Sequence, residues 1–336
     1  MKSWLAFMTA AALGMTIFRV ESAHAQEHVP IRQVVSFGDS LSDAGTYWLR
    51  FTTNPGLTFA QLLTLHFEKL PPLPNQHMDR YDDAYKGNHG DSGPGGLNYA
   101  EGGSRVSSAY SKVSQDPEGK PISAVQQLKH YLSQHHSFSP DQLVTLYIGV
   151  NDAAYDYDPD NSPDLVRQLR ANESPSVETM RAETARVEQA ADDTVKLVRD
   201  MRIHGAARLL VFKLVDLGAC PWYRTAAAQA YARTLSGVFN ARLLAKLPDD
   251  PKHILVIDTE AFVKDLLAHA STYGFKHGAH EDACGQDDRE YCFPGTEVRP
   301  DAGETYVFAG LQHLTTHANR LLADYVLRQL ASSPLN

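Results

Sequence analysis

Short apolar runs alternate with longer segments of helical periodicity, and this alternation is the feature that most restricts the fold of the chain. Runs rich in apolar residues and free of proline predict strands over residues 34–37, 143–149, 208–214 and 254–257. Apolar residues three and four apart predict helices over residues 122–134, 177–204, 226–247, 259–270 and 314–330. Strands that alternate with helices of this length predict an α/β protein whose mainly parallel sheet is covered on both faces.

Two segments interrupt the alternation, over residues 70–96 and 155–176, and both are rich in residues that favour turns. We therefore predict a long loop at each position. Long loops in a compact domain are often lids or binding loops, and a solvated excursion without a role is the equally open alternative. We expect a single domain over residues 26–336 that carries both loops as insertions.

The charge balance of the chain excludes one class of partner. Its 336 residues include 31 Lys and Arg against 40 Asp and Glu, which gives a formal net charge of -9. Proteins that bind nucleic acid carry a basic patch or stripe. We therefore expect no nucleic-acid partner.

The first 25 residues have the pattern of a secretory signal peptide. Lys2 precedes an apolar-rich stretch over residues 4–18, and small residues at Ala23 and Ala25 follow. The stretch is too short to span a bilayer comfortably, so we expect cleavage near Ala25 and a secreted or periplasmic protein. An uncleaved membrane anchor is the alternative.

The three cysteines bear on the same question. In an oxidising compartment, Cys284 and Cys292 would most simply form a disulfide, since they lie close together in the chain. Cys220 is then left as a free, buried cysteine. The alternative is a metal site that combines cysteine with His277 and His280, but the spacing matches no common zinc pattern, and we expect no metal.

The strongest chemical signal is the string FGDSLSD over residues 37–43, at the end of the first apolar run. Its serine, Ser40, would stand at the carboxyl edge of the parallel sheet, where ligands bind in such folds. Taken alone, the string could also supply a helix cap, because Ser and Asp favour that position.

Three further blocks follow in order: NYAEGG over residues 98–103, IGVND over 148–152, and a histidine at position 313. Together the four blocks resemble those of the GDSL or SGNH hydrolase family. The connecting sequence, notably GAAR at 205–208 and LVDLG at 214–218, resembles secreted bacterial lipases, phospholipase- or acyltransferase-like enzymes and choline esterases. The resemblance spans most of the chain after the leader and implies a flavodoxin-like, three-layer α/β/α fold.

The resemblance also implies a chemistry, that of a serine carboxylic ester hydrolase. Ser40 would attack the ester carbonyl, His313 would take its proton, and water would clear the acyl-enzyme. The backbone N–H groups of Ser40 and Gly103 and the side-chain amide of Asn151 would bind the oxyanion. Without the family, a tight turn at 102–103 and a strand-end turn at 151–152 would each be credible, and a helix-start or surface histidine would be the favoured interpretation of His313.

The chain departs from the family pattern at Gly310. Members usually carry Asp three residues before the catalytic histidine, and that acid fixes the imidazole tautomer and stabilises the imidazolium. Three alternatives are open here: a backbone carbonyl or water orients His313, an anion such as chloride occupies the space at Gly310, or a carboxylate reaches in from elsewhere. Candidates for that carboxylate are Asp301, Glu304, Asp287 and Asp288.

We expect a small-molecule or lipid ester as substrate, transient contact with a membrane surface, and no required cofactor apart from the open question of chloride. Tyr47 and Trp48 follow the nucleophile block and could bind a cationic head group such as choline, or they could simply pack against the first helix. A catalytically silent binding protein with the same fold and a carbohydrate O-deacetylase are the alternatives to an esterase.

Overall fold

A parallel four-stranded sheet lies at the centre of the structure, a computed structural model that describes residues 29–69, 72–77, 93–108, 121–285 and 291–336. The predicted leader, most of the predicted loop at 70–96, and the candidate acids Asp287 and Asp288 lie outside these residues. No helix within the described ranges is long and apolar enough to cross a membrane.

The strands of the central sheet lie in chain order, β1 to β4, and every pair is parallel. They are β1 (Gln33–Gly38), β2 (Gln142–Tyr147), β3 (Arg208–Phe212) and β4 (Ile254–Ile257). On the other side of β1, Asn98 forms a parallel bridge with Ser36, and the N–H of Tyr99 donates to the carbonyl of Ser36 at 2.7 Å. The sheet therefore grows in both directions from β1, and such a switch point is where flavodoxin-like folds bind their ligands.

Helices cover the sheet in two groups. In chain order they are α1 (Phe59–Glu68), α2 (Ala124–His135), α3 (Val150–Ala153), α4 (Pro163–Arg170), α5 (Val177–Ile203), α6 (Ala226–Lys246), α7 (Thr259–Ala268), α8 (Ala302–Thr305) and α9 (Thr316–Ala331). Helix α9 contacts α1 and α7 in one group, and α5 contacts α2 and α6 in the other. All residues of β2 and β3 are buried, as expected for strands between two helical layers. The predicted three-layer α/β/α fold is confirmed.

Local sequence explains where several of these helices begin. Five of them have a Ser, Thr or Asp at the N-cap whose side chain accepts an N–H of the first turn: Ser123, Ser176, Thr225, Asp258 and Thr315. Such a cap satisfies one of the four N–H groups that a helix leaves unpaired at its start. All four predicted strands and all five predicted helices are present, with ends that differ by a few residues.

The predicted loop over 155–176 needs a correction. It contains a short 3-10 helix (Tyr155–Tyr157) and the two-turn helix α4 (Pro163–Arg170). Proline is tolerated at the first position of a helix, where its missing N–H has no intrahelical partner to lose. Val166 and Leu169 lie three apart on the same face of α4 and are buried, a pattern hidden among the surrounding polar residues.

A second, smaller sheet was not predicted from the sequence. It consists of β5 (His277–Asp282), β6 (Tyr306–Ala309) and β7 (His313–Leu314), with β5 parallel and β7 antiparallel to β6. The sequence of β5, HGAHED, has no apolar alternation, and β7 has only two residues, so neither carries a strand signal. This sheet holds His313.

Gly149, directly before α3, offers a test of the packing. An added Cβ would lie 2.5 Å from a ring carbon of Phe239, and the φ of Gly149 is +116°. We expect Gly149→Ala to lower the free energy of unfolding by at least about 2 kcal/mol, because overpacking and a positive φ both act against alanine. Urea denaturation measures this change.

Gly237 in α6 is the matched control, because an added Cβ there has nothing within 4 Å. Gly237→Ala should raise the free energy of unfolding by roughly 0.5–1 kcal/mol through helix propensity alone. Equal stability changes of the same sign in the two variants would contradict the packing described at Gly149.

Candidate active site

Ser40 and His313 meet although 273 positions separate them in the chain. Ser40 follows β1 and His313 begins β7, and the distance from Ser40 Oγ to His313 Nε2 is 2.8 Å. The two residues are only 2% and 1% exposed. This geometry places a hydroxyl within proton-transfer reach of an imidazole.

The turn after β1 holds Ser40 at the sheet edge. The N–H groups of Ser42 and Asp43 donate to the carbonyl of Asp39 at 3.0 and 3.1 Å. Gly38 lets this turn approach β2, because an added Cβ would lie 2.1 Å from the carbonyl oxygen of Tyr147. The block FGDSLSD is therefore a strand end and a tight turn, not a helix cap.

Hydrogen bonds join the first three sequence blocks to one another. The carboxylate of Asp43 accepts the N–H of Gly102 at 2.9 Å, which links the first block to the second. The side-chain amide of Asn151 donates to the carbonyl of Ser104 at 2.9 Å, which ties the third block to the end of the second. Because a primary amide has two N–H groups, Asn151 retains another donor.

The two predicted backbone donors of the oxyanion hole are Ser40 and Gly103. Both residues are buried, and neither N–H donates to a protein acceptor within the ranges that the structure describes. Gly103 has a φ of +83°, a conformation that L side chains rarely adopt. Buried N–H groups in such a position are suited to receive an anion.

Aromatic packing connects the second block to the histidine. An added Cβ on Gly102 would lie 2.3 Å from two ring carbons of Phe51, and the Phe51 and His313 ring centroids are 5.2 Å apart. Tyr47 is buried and its hydroxyl donates to the carbonyl of Gly102 at 2.8 Å.

Trp48, next to Tyr47, is 69% exposed and stacks on His77. Neither Tyr47 nor Trp48 lies in a helix, and Tyr47 helps to build the site.

The far side of the His313 ring faces the main chain. Nδ1 of His313 lies 2.9 Å from the carbonyl oxygen of Gly310, and a carbonyl can only accept. Nδ1 therefore carries the proton, and Nε2 is the acceptor that faces Ser40, as a general base requires. This is the geometry of the first alternative, orientation by a backbone carbonyl.

The two candidate carboxylates among the described residues, Asp301 and Glu304, have other partners. Asp301 forms an ion pair with Lys276 at 3.2 Å, and Glu304 pairs with Arg320. The acid that does contact the turn before His313 is one that sequence reasoning missed, Asp282, whose carboxylate accepts the N–H of Gly310 at 2.8 Å. Asp282 lies at the end of the unpredicted strand β5, so no local pattern marks it.

The predicted disulfide between Cys284 and Cys292 is present. The N–H of Cys292 donates to the carbonyl of Thr52 at 3.2 Å, and the hydroxyl of Thr52 donates to the carbonyl of Leu314 at 2.8 Å. The disulfide thus ties β5 to the segment that supports the residue after His313.

Cys220 is free and buried, and burial raises the pKa of its thiol well above the usual range.

The alternative metal site has no support in the described part of the chain. No group of three or more His, Cys, Asp or Glu side chains there could hold a metal ion. His277 instead bonds to Glu281 at 2.7 Å and stacks on Tyr306.

Two buried acids next to the site have raised pKa values. Burial raises the pKa of Asp43 to about 6, although the N–H groups of Gly45, Thr46 and Gly102 oppose the shift. Burial likewise raises the pKa of Glu101 to about 8, against one donated N–H from Ile122. Glu101 is therefore mostly protonated at neutral pH, whereas Asp43, which accepts the N–H of Gly102, is mostly ionised.

Comparison with known proteins identifies the family of the chain. The family described as GDSL-like lipase/acylhydrolase matches residues 34–326, and the chain belongs to this family. It is a serine carboxylic ester hydrolase, of a family that acts on small ester or lipid substrates.

Curated relatives include both hydrolases and an acyltransferase. The phosphatidylcholine-sterol acyltransferase of Aeromonas hydrophila is 26% identical over 99% of this chain and 87% of its own length. The esterase EstA of Pseudomonas aeruginosa is 25% identical over 90% of this chain, and a GDSL esterase/lipase of Arabidopsis thaliana is 26% identical over 42%. The matches cover 47% of EstA and 44% of the plant protein, so these two relatives are considerably longer than the part that matches.

The raised pKa of Glu101 makes stability depend on pH. A carboxyl whose pKa is higher in the folded than in the unfolded state stabilises the fold below its unfolded pKa, and this contribution is lost as the pH rises through the folded value. We expect Glu101→Gln, which cannot titrate, to gain stability relative to wild type between pH 5 and pH 9. The difference should reach a few kcal/mol, up to about 4.

Thermal unfolding of both proteins across this pH range measures the effect. Glu173→Gln, at an exposed position, is the control and should follow the wild-type curve at every pH. Parallel wild-type and Glu101→Gln curves would contradict the raised pKa.

Proposed function

We propose that the protein is a secreted enzyme that hydrolyses a carboxylic ester of a phospholipid or lysophospholipid through an acyl-enzyme on Ser40. The observation that carries the proposal is the buried contact of 2.8 Å between Ser40 Oγ and His313 Nε2. It lies next to the backbone N–H groups of Ser40 and Gly103, which have no acceptor in the part of the chain that the structure describes. Each chemical requirement of ester hydrolysis has a residue that meets it.

The reaction begins when Ser40 Oγ attacks the ester carbonyl carbon and its proton passes to Nε2 of His313. The carbonyl electrons move to the oxygen, and the resulting oxyanion accepts hydrogen bonds from the N–H of Ser40, the N–H of Gly103 and the amide of Asn151. The intermediate then expels the alcohol, which takes the proton from Nε2. A water molecule then attacks the carbonyl carbon of the acyl-enzyme and gives its proton to Nε2 of His313. The second intermediate releases the carboxylic acid, and Ser40 Oγ takes the proton back.

A cavity beside the histidine turn supports a phospholipid-type substrate. It has a volume of about 220 Å³ and is lined by Tyr157, Arg170, Trp222, Arg224 and Thr225. The N–H of Trp222 donates to the carbonyl of Leu311 at 3.0 Å, so the cavity adjoins the turn that precedes His313. Two guanidinium groups beside aromatic rings suit the phosphate of a lipid better than the cation of a simple choline ester.

Export and contact with a membrane surface belong to the same proposal. The disulfide between Cys284 and Cys292 is typical of an oxidising compartment, and the leader pattern over residues 1–25 agrees with export. A lipid substrate would be met at a membrane surface, where transient contact suffices.

The proposed reaction requires no cofactor. His313 is oriented by the Gly310 carbonyl, and a chloride ion at Gly310 is the alternative that the family pattern left open. Turnover that rises with added chloride at constant ionic strength would favour the ion, and turnover that is independent of chloride would favour the carbonyl.

Hydrolysis of a short-chain nitrophenyl ester tests the nucleophile. Ser40→Ala should lower kcat by at least about 10³-fold, and Asn151→Ala by roughly 10²- to 10³-fold, because one oxyanion donor is lost. Ser42→Ala is the matched control. Ser42 is a buried serine in the same block, and its hydroxyl has no partner among the described residues, so this variant should keep wild-type activity.

Folded wild-type protein without turnover on any ester would favour a catalytically silent binding protein. Turnover confined to acetylated sugars would instead favour a carbohydrate O-deacetylase. Either result would overturn the proposed lipid esterase.

Arg170 provides the test of the head group. Arg170→Gln should raise KM for a phospholipid roughly 3- to 10-fold, since a charge-assisted hydrogen bond to phosphate is lost, and should leave kcat on an uncharged nitrophenyl ester unchanged. Arg167→Gln, on the same helix and paired with Asp164, is the control. An equal effect of Arg170→Gln on both substrates would exclude phosphate recognition at this cavity.

A further inference from the structure

One peptide group, between Gly310 and Leu311, is hydrogen-bonded at both ends to groups that bear on catalysis. Its carbonyl oxygen lies 2.9 Å from Nδ1 of His313, and its N–H donates to Asp282 Oδ2 at 3.1 Å. The preceding N–H, of Gly310, donates to Asp282 Oδ1 at 2.8 Å. The Asp282 carboxylate is therefore hydrogen-bonded to the peptide whose carbonyl orients the histidine.

The turn that contains this peptide needs such support. Gly310 and Leu311 have φ values of +60° and +68°, and the left-handed region is unfavourable for leucine. The carbonyl of Gly310 also accepts the N–H of Gln312 at 2.7 Å, which closes the turn tightly between β6 and β7. The two bonds to Asp282 satisfy both N–H groups of the left-handed pair and hold the carbonyl in place.

We infer that Asp282 is the positioning residue for His313 and that its negative charge acts through the Gly310–Leu311 peptide, in place of the acid that the family carries at position 310. A carboxylate that accepts the N–H of a peptide polarises that peptide and strengthens its carbonyl as an acceptor. The Asp282 carboxylate thus stabilises the imidazolium through the intervening peptide, without direct contact between Asp282 and His313. The inference rests on the proposed serine hydrolase function.

The surroundings of Asp282 are consistent with this role. The side chain is partly buried at the end of β5, and its Oδ1 also accepts the N–H of Cys284 at 2.8 Å. Burial raises the pKa of Asp282, whereas the three donated N–H groups and the nearby Arg224 favour the charged form. Among the described residues, Arg224 and His313 are the charged or titratable groups that act on Asp282 and the Gly310–Leu311 peptide. The disulfide of Cys284 fixes the chain directly after Asp282.

Asp282→Asn tests the inference, because it keeps the size of the side chain and removes the charge. We expect kcat on a nitrophenyl ester to fall 10- to 100-fold. The acidic limb of the kcat/KM profile should shift to lower pH, since loss of a nearby negative charge lowers the pKa of an imidazolium. Asp282→Glu keeps the charge and should retain the wild-type limb. A purely structural role would lower activity without moving the limb.

Asp301→Asn and Glu304→Gln are the matched controls. Both acids lie near His313 in the sequence, but Asp301 pairs with Lys276 and Glu304 with Arg320. Both should keep the wild-type rate and pH profile. If Asp287→Asn or Asp288→Asn moves the limb and Asp282→Asn does not, the inference is overturned.

NMR titration of the His313 ring separates this inference from the proposed function, because it requires no turnover. The pKa of His313 should be lower in Asp282→Asn than in wild type, with His313→Gln used to assign the signal. In wild type, the Nδ1 resonance should also show a second step at the pKa of Asp282, which provides a test even where the variant does not fold. A single step in wild type, or an unchanged pKa in a folded variant, would overturn the inference.

Discussion

The hydrogen bond between Ser40 and His313 is the contact on which the rest of the structure depends. It joins the end of the central sheet to a hairpin of a second sheet, so the two sheets have to be held at a fixed distance. Three threonines connect the segment after the first block to the chain after His313: Thr52 bonds to the carbonyl of Leu314, and the hydroxyls of Thr53 and Thr316 lie 2.7 Å apart.

Buried polar groups define the geometry around that contact. Asp43 accepts two N–H groups from the residues directly after the first block and one from Gly102 in the second. Asn151 of the third block donates to the carbonyl of Ser104, directly after the second. Each of these bonds replaces water that the buried groups have lost, so breaking one leaves an unpaired group in a medium of low dielectric constant. The donors near Ser40 are thus held in place before any ester binds, which is how an oxyanion site acts most effectively.

The hairpin that carries His313 illustrates how strain and function lie together. Two successive left-handed residues direct the carbonyl of Gly310 at the imidazole, and a carboxylate from another strand stabilises the unfavourable turn. Strained backbone conformations of this kind persist where the surroundings over-determine them, and they are found at functional sites. In the proposed mechanism, the carbonyl of Gly310 therefore orients the histidine at the position where the family usually carries an acid.

Much of the fold and half of the site could be predicted from the sequence. Strand and helix periodicities are local, so β1 to β4 and the long helices follow from them, and the blocks around Ser40, Gly103 and Asn151 are short strings. Helix α4 was missed because its two buried residues are surrounded by polar ones. Strand β5 was missed because it lies at the edge of a small sheet, where no alternation is required.

The sequence by itself determined the strands of the central sheet and the serine that follows the first of them, because each depends on residues close together in the chain. The resemblance to the family marked position 310 as the place of a missing acid. Only the tertiary structure decided what faces the other side of the histidine. Asp282 and Gly310 are 28 residues apart, and their contact depends on a parallel pairing of β5 with β6 that no local pattern encodes. Hydrogen bonds between distant segments are set by how strands pair, and that pairing becomes visible only once the chain is folded.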